Sequence, residues 1–137
     1  MSSERKTSGI LNVTLWVAQV VLAAGFVWAA FMKLFQPADQ LAAMWPWTAE
    51  HAVLVKLTGV LDLLAGIGLI LPALFRIKPK LTIYAAYGTV SLMIAASAFH
   101  IIRGEGALIG VNVFFAVVAV FIAWGRQKKG PILPKRI

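Results

Sequence analysis

The sequence predicts an all-α integral membrane protein, an up-down-up-down four-helix bundle with both termini on the cytoplasmic side. Three observations predict this fold class. Hydrophobic residues make up 61% of the chain and charged residues only 13%, whereas soluble domains average about 45–50% apolar and about 25% charged residues. Four long apolar segments account for most of the 137 residues. The basic residues cluster before the first segment, between the second and third, and after the fourth.

The four predicted helices cover approximately residues 10–35, 52–75, 81–102 and 107–124 within a single transmembrane domain, 1–137. At about 1.5 Å per residue, each helix can cross a hydrocarbon layer roughly 30 Å thick. The segments show no strict two-residue alternation, and each is about twice as long as a transmembrane β-strand. Helices are therefore the better way to satisfy the backbone in lipid.

The first predicted helix ends in the motif FMKLF, which contains Lys33, and a polar connection follows it. This connection holds Trp45 and Trp47 on either side of Pro46. Amphipathic rings of this kind settle in the headgroup layer of a membrane. An interfacial anchor is the preferred interpretation of the connection, and a substrate lid is the alternative.

The second predicted helix carries Asp62 inside the apolar run TGVLDLLAGIGLILP. A carboxylate in hydrocarbon costs several kcal/mol unless a partner or a proton neutralises it. The residues three and four positions away on the same helix face are all small: Thr58, Gly59, Ala65 and Gly66. Small residues let helices approach closely in lipid, so we expect Asp62 to face the interior of the bundle.

Lys33 is the expected partner of Asp62, because it also lies on a face of small residues, with Ala29, Ala30 and Gly25 before it. The antiparallel topology puts Asp62 about 15 Å below the outer end of its helix. Side chains lean toward the N-terminus of a helix, so the two groups lean toward each other, and a lysine stem adds about 6 Å of reach. We therefore predict an intramembrane Lys33–Asp62 pair, either direct or through water.

The third and fourth predicted helices supply the other polar candidates. The connections FRIKPK and RGEG are so short that the helices they join must be antiparallel neighbours. His100 and Arg103 lie at the outer end of the third helix, close to the predicted pair. Asn112 begins a stripe of alanines in the fourth helix. The predicted ligand-binding or structural cluster is thus Lys33, Asp62, His100, Arg103 and Asn112, with no catalytic role assigned.

The net charge of +8 is distributed in a way that predicts topology. The first connection contains Asp39 and Glu50, whereas the second connection and both tails, 1–9 and 125–137, are basic. The positive-inside rule then puts both termini in the cytoplasm, with the protein in the cytoplasmic (inner) membrane of the cell. The lipid bilayer is the expected partner, and nucleic acid is not expected, because nothing pairs these charges with exposed aromatic residues.

The sequence gives little support for a resident cofactor. It contains no cysteine, which excludes disulfides, thiol exchange and clusters held by thiolates. The two histidines, His51 and His100, fall on different elements, so haem is not expected either. Asp62, His100 and Glu105 lack the spacing of a metal site, and no metal is predicted.

Four motifs in order, FMKLF, GVLDLLAGIGLILP, HIIRGE and NVFFAVVAVFIAWGR, resemble the DoxX-like family of small four-helix membrane proteins. The resemblance spans roughly residues 20–126. It implies that Lys33 and Asp62 correspond to the family's recurrent lysine and acid, although that acid is often glutamate. Some members of the family are associated with a thiosulfate:quinone oxidoreductase or a membrane redox complex. Eukaryotic relatives resemble assembly factors for membrane receptors.

Three functions stay open at this point. The polar cluster could be a site for a lipophilic ligand such as a quinone, in which case the chain is the membrane subunit of an oxidoreductase whose electron carrier lies in a partner protein. The same residues could instead fix the helices in register in a non-catalytic scaffold or assembly factor. A proton-coupled small transporter that uses Asp62 is the third alternative.

Overall fold

The computed structural model describes residues 9–134, apart from the side chain of Leu108. Within this range the chain forms helices and turns and contains no strand. The five α-helices are α1 (Gly9–Phe35), α2 (Ala38–Met44), α3 (Ala52–Phe75), α4 (Lys80–Ile102) and α5 (Gly110–Trp124). Short 3₁₀ turns precede α3 and α5 at Pro46–Glu50 and Gly106–Ile109, and a π-helical turn, Gly125–Lys129, follows α5.

Four of these helices are long and apolar enough to cross a membrane: α1, α3, α4, and α5 with its π-helical extension. Their outward faces expose large apolar side chains, among them Val17, Leu64, Ile94 and Val117. A water-soluble protein does not present apolar surface of this extent, and in lipid the helices satisfy their own backbone groups. The structure therefore confirms the predicted membrane four-helix bundle.

The predicted boundaries differ from the observed ones mainly in the last helix. The first three long helices begin within one residue of the predicted positions and end at them. The fourth was predicted to begin at residue 107, but Gly106–Ile109 is a 3₁₀ turn and the α-helix begins at Gly110. The predicted basic tail from residue 125 also needs correction, because Gly125–Lys129 continues the helix as a π-turn.

The long helices alternate in direction and form a ring in which α1 packs on α3 and α5, α3 packs on α4, and α4 packs on α5. The two short connections thus join antiparallel neighbours, as predicted. One end of the bundle, here called the basic end, holds Arg76, Lys78, Lys80 and Arg126. The other end, here called the Lys33 end, holds α2 and the α4–α5 connection. Arg5, Lys6, Lys135 and Arg136, which entered the topology prediction, lie outside the described residues.

Glycines let α3 approach both of its neighbours, α1 and α4. A Cβ added at Gly66 would lie 2.8 Å from Val27 Cγ2 in α1, and one added at Gly68 would lie 2.8 Å from the Cβ of Ala85 in α4. The predicted stripe of small residues in α3 is therefore in contact with its neighbours, which is the packing expected of helices in lipid. The core between the helices is filled by larger apolar side chains, including Leu22, Phe26, Leu69, Met93 and Ile122.

Pro72 lies inside α3 and removes one backbone donor from that helix. A proline has no N–H, so the carbonyl of Gly68, four residues earlier, loses its usual partner. Thr82 of α4 is buried, and its hydroxyl donates to this carbonyl at 2.9 Å. The side chain of one helix thus satisfies the backbone of the next, as is required of proline in a transmembrane helix.

Candidate functional site

The Lys33 end contains a direct ion pair between two transmembrane helices. Lys33 Nζ, in the last turn of α1, donates to Asp62 Oδ2, in the middle of α3, at 2.8 Å. The two side chains are 13% and 4% exposed. Of the two arrangements that the sequence left open, the structure has the direct contact.

Small residues on α3 make this contact geometrically feasible. A Cβ added at Gly59 would lie 3.1 Å from Lys33 Cβ and 3.1 Å from the side chain of Leu34, so the backbone of α3 lies directly against the end of α1. Asp62 is one turn further along the same face of α3, within reach of the leaning lysine. The shorter aspartate therefore bridges the helices, because the glycine brings their axes close.

Two tryptophan rings from the first connection lie against the ammonium group. Lys33 Nζ is 5.9 Å from the ring centroid of Trp45 and 5.7 Å from that of Trp47. Trp45 also packs edge-on against Trp28 of α1 at 5.7 Å. Both distances to Lys33 are in the range of cation–π attraction. The tryptophans expected to anchor the protein in the headgroups thus also cover the ion pair.

Lys56 is a polar residue at this end that sequence reasoning missed. Its Nζ donates to the carbonyls of Lys33 and Leu34 at 3.1 and 3.0 Å. The last carbonyls of a helix have no partner within the helix, and a lysine placed there both hydrogen-bonds them and complements the helix dipole. The available signal was the position of Lys56, six residues before Asp62 in the first half of α3.

A second polar group lies in the α4–α5 connection. Glu105 accepts from Arg103 Nε at 3.0 Å, and its Oε1 lies 3.0 Å from His100 Nδ1, which carries the hydrogen because an ionised carboxylate only accepts. The hydrogen bond from Arg103, and then that from His100, holds the pKa of Glu105 below its ordinary value. The hydrogen bond to Glu105 in turn raises the pKa of Arg103. Arg103 Nη1 also lies 3.3 Å from His51 Nε2.

Aromatic rings separate this second group from the ion pair. The ring centroid of Trp47 lies 6.3 Å from that of His100 and 5.5 Å from that of Phe99, while its other neighbour is Lys33. The predicted cluster is thus two polar groups that share a tryptophan. Lys33 with Asp62 lies between α1 and α3, and His100 with Arg103 lies at the end of α4.

Asn112 belongs to neither group. It is half-buried in the first turn of α5, and within residues 9–134 its side chain makes no hydrogen bond. The alanine stripe that follows it is nevertheless packed, because Ala119 and Ala123 are buried in the core. The pattern of small residues correctly identified the inward face of α5 but did not bring Asn112 to the ion pair.

The basic end contains a buried network that the sequence did not predict. Arg126 is 3% exposed, and its Nε donates to Gln19 Oε1 at 2.7 Å. Its Nη1 donates to Asn12 Oδ1 and to the carbonyl of Gly130 at 2.9 and 3.0 Å. Gln19, also buried, donates across the bundle to the carbonyl of Leu69 at 2.7 Å. Arg126 was predicted to lie in the basic tail 125–137, but it is a core residue of the π-helical turn and joins this turn to α1.

The described residues assemble no group of three or more histidine, aspartate or glutamate side chains that could hold a metal ion. The chemistry available at the Lys33 end is that of a buried ammonium–carboxylate pair under aromatic rings, together with a histidine held by a carboxylate. These groups can fix helix register, donate hydrogen bonds to a carbonyl or exchange a proton.

A comparison with family models identifies the chain. The model of the DoxX-like family matches residues 17–122, which covers both polar groups at the Lys33 end and excludes Asn12 and Arg126. The searches of curated proteins and of solved structures gave no match. The matched region is well over half of the chain and contains the first three motifs, most of the fourth and most of the four long apolar helices. The protein belongs to the DoxX-like family.

Proposed function

We propose that this multi-pass membrane protein is a non-catalytic scaffold or assembly subunit, in which the Lys33–Asp62 pair fixes the register of α1 against α3. The observation that carries the proposal is the closed geometry of the pair. Lys33 Nζ and Asp62 Oδ2 are 2.8 Å apart, and both side chains are largely buried. Each charge is thus neutralised inside the protein, as is required of an ion pair that holds two helices in one alignment.

A buried ion pair suits this role because its energy depends strongly on register. The desolvation of two charges offsets most of their attraction, so such a pair adds little net stability. A slip of α1 along α3 by one turn, about 5.4 Å, would leave both charges buried without a partner. The correct alignment is therefore favoured over its neighbours, and Lys56 adds to this by binding the carbonyls at the end of α1.

The charge distribution supports one orientation in the membrane. The basic end holds six cations among the described residues: Arg76, Lys78, Lys80, Arg126, Lys128 and Lys129. The connections at the Lys33 end contain Asp39, Glu50 and Glu105. The positive-inside rule favours the basic end in the cytoplasm. This orientation in the cytoplasmic membrane, with both termini inside the cell, is part of the proposal.

A second candidate, the membrane subunit of a quinone-linked redox complex, is favoured by one observation. Only one of the three ammonium hydrogens of Lys33 is accepted by Asp62, and the aromatic faces of Trp45 and Trp47 lie next to the same group. A planar ligand stacked on a tryptophan could accept a hydrogen bond from Lys33. A proton-coupled transporter has less support, because it would have to break the ion pair in every cycle.

A charge-free double variant separates the two candidates. Lys33→Met with Asp62→Leu replaces both charges by apolar groups of similar size, while Asp39→Asn, an exposed change, is the control. Each protein is solubilised from its native membrane in mild detergent and run on a native gel, and bound quinone is extracted and quantified by chromatography.

A scaffold predicts no stoichiometric quinone in the wild type and an assembly of unchanged size in the double variant, since well-packed apolar residues can replace a buried pair. One quinone per chain in the wild type that is lost in the double variant would favour the redox subunit. An assembly that dissociates in the double variant, although the variant is folded, would show that the charges do more than align helices.

A further inference from the structure

The buried guanidinium at the basic end has polar partners but no counter-charge. Arg126 donates to the side-chain oxygens of Gln19 and Asn12 and to the carbonyl of Gly130, all of which are neutral. Its Nη2 is buried and has no hydrogen-bond partner in the part of the chain that the structure describes. A buried donor of a charged group that lacks an acceptor is costly.

No carboxylate among residues 9–134 forms an ion pair with Arg126. The acidic residues in this range belong to the other half of the bundle: Asp39, Glu50, Asp62 and Glu105. Two of them, Asp62 and Glu105, are already paired with cations there. A buried cation is normally balanced by an anion in contact with it. Within residues 9–134, the ring of Trp16, 5.4 Å from Arg126 Cζ, offers cation–π attraction, but no anion balances the guanidinium. A bound anion would satisfy it.

A cavity of about 670 Å³ lies beside Arg126, between the start of α4 and the segment that follows α5. Lys80 and Tyr84 of α4 line it together with Arg126. Within the described residues, the side chains of Lys80 and Tyr84 make no hydrogen bond or ion pair, so both have donors to offer. The cavity therefore brings a buried guanidinium, a free ammonium and a free hydroxyl to one place.

Two further features of the cavity suit an anionic amphiphile. The first turn of α4 forms part of its wall and has no side-chain cap, so the positive end of the helix dipole faces this region. The remaining wall is largely apolar and includes Leu81, Ile132 and Leu133. A phosphate would meet the cations, and an attached hydrocarbon chain would meet the apolar side chains.

We propose that this cavity binds an anionic phosphate group, carried by a lipid headgroup or present as free phosphate, with Arg126 and Lys80 as its cationic ligands. Arginine offers a fork of donors that matches phosphate oxygens, and basic pockets between transmembrane helices recognise anionic headgroups. The site is at the opposite end of the bundle from the Lys33–Asp62 pair and does not depend on the proposed scaffold function. Arg126 also falls outside the region that matches the family.

Native mass spectrometry of the full chain in detergent tests the proposal. Delipidated protein is titrated with phosphatidylglycerol, with phosphatidylcholine, and with phosphatidylglycerol in the presence of inorganic phosphate. We expect one phosphatidylglycerol to bind at least fivefold more tightly than phosphatidylcholine. Displacement by millimolar inorganic phosphate would assign the site to free phosphate, and retention of the lipid would assign it to a headgroup; both results support the proposal. Equal binding of phosphatidylglycerol and of phosphatidylcholine, whose phosphate is balanced by its own quaternary ammonium, would overturn it.

Matched lysine variants show whether the cavity or the general surface charge is responsible. Lys80→Gln removes a cation that lines the cavity, whereas Lys128→Gln removes an exposed cation at the same end that does not. We expect Lys80→Gln to weaken phosphatidylglycerol binding about fivefold, as is usual for one cation near an anionic headgroup, and Lys128→Gln to change it less than twofold. An equal loss in both variants would contradict the assignment.

Arg126→Gln should abolish the preference for the anionic lipid. Because this change alters a buried network, the thermal unfolding of the Arg126→Gln variant is measured first. If the variant does not fold, Lys80→Gln alone tests whether the cavity binds the anionic lipid. A folded Arg126→Gln variant that still prefers phosphatidylglycerol as strongly as the wild type would refute the role of the guanidinium.

Discussion

Removal of one member of the Lys33–Asp62 pair should destabilise the protein far more than removal of both. The two charges lie 2.8 Å apart, and Asp62 is 3% exposed. At an effective dielectric constant of about 20, their gross attraction is about 6 kcal/mol. The cost of removing both ions from water offsets most of this attraction, so the net contribution of the intact pair is small.

Asp62→Asn leaves the ammonium of Lys33 buried without its anion, which we expect to cost about 3–5 kcal/mol of unfolding free energy. Attraction to the faces of Trp45 and Trp47 would recover only about 0.5–2 kcal/mol. Lys33→Met with Asp62→Leu removes both charges and should lie within about 1 kcal/mol of the wild type, because neither ion is stranded.

The assay is reversible unfolding in mixed micelles, followed by tryptophan fluorescence, for the wild type, the two single variants and the double variant. The four free energies form a double-mutant cycle that isolates the coupling between the two residues. Asp39→Asn, at an exposed position without an ion pair, is the control and should change stability by less than about 0.5 kcal/mol. A double variant as unstable as the sum of the single variants would refute the reasoning.

Two further predictions concern packing and pH. Gly66→Ala should cost about 1–3 kcal/mol of unfolding free energy, because the new Cβ would lie 2.8 Å from the stiff Val27 side chain, while Gly88→Ala, with nothing within 4 Å, should stabilise its helix by up to about 1 kcal/mol. The bond from Arg103 lowers the pKa of Glu105 from its ordinary 4.5. The hydrogen bonds to ionised Glu105 therefore stabilise the folded protein above pH 4.5, and this stabilisation is lost as the pH falls through the lowered pKa. Glu105→Gln should therefore flatten the thermal-midpoint profile below pH 4.5.

Each of these predictions has an outcome that contradicts it. Equal effects of Gly66→Ala and Gly88→Ala in the unfolding assay would mean that α1 and α3 are not in close contact at Gly66. An unchanged pH profile in Glu105→Gln, measured by thermal unfolding between pH 7 and pH 3, would show that its hydrogen bonds do not stabilise the fold.

The positions of the helices could be predicted closely because hydrophobicity decides them locally. The run 52–75 coincides with α3, since an apolar segment in lipid must satisfy its own backbone and does so as a helix. The start of α5 was misplaced because residues 107–109 are apolar enough to extend the run but belong to a 3₁₀ turn instead. Hydropathy does not distinguish an α-helical turn from a 3₁₀ turn.

The polar residues were predictable only in part. The small residues on the same helix face correctly predicted that Asp62 faces the interior of the bundle. The direction in which side chains lean correctly favoured Lys33 as its partner. The same test on Asn112 identified an inward face, on which Ala119 and Ala123 are buried, but Asn112 itself has no hydrogen-bond partner among the described residues. Arg126 was misread, since its position after the last apolar run is shared with the exposed Lys128.

By itself, the sequence determined the solvent of this protein, the number of its membrane helices, their antiparallel order and the inward faces that carry Asp62 and Lys33. These properties follow from local composition and from the need to pair backbone groups in lipid. Only the tertiary structure decided which polar groups meet across helices: the direct ion pair, the capping by Lys56, and the burial of Arg126 against Gln19 and Asn12. Such contacts depend on the rotation and offset of whole helices, to within a few ångströms, and no short stretch of sequence encodes either quantity.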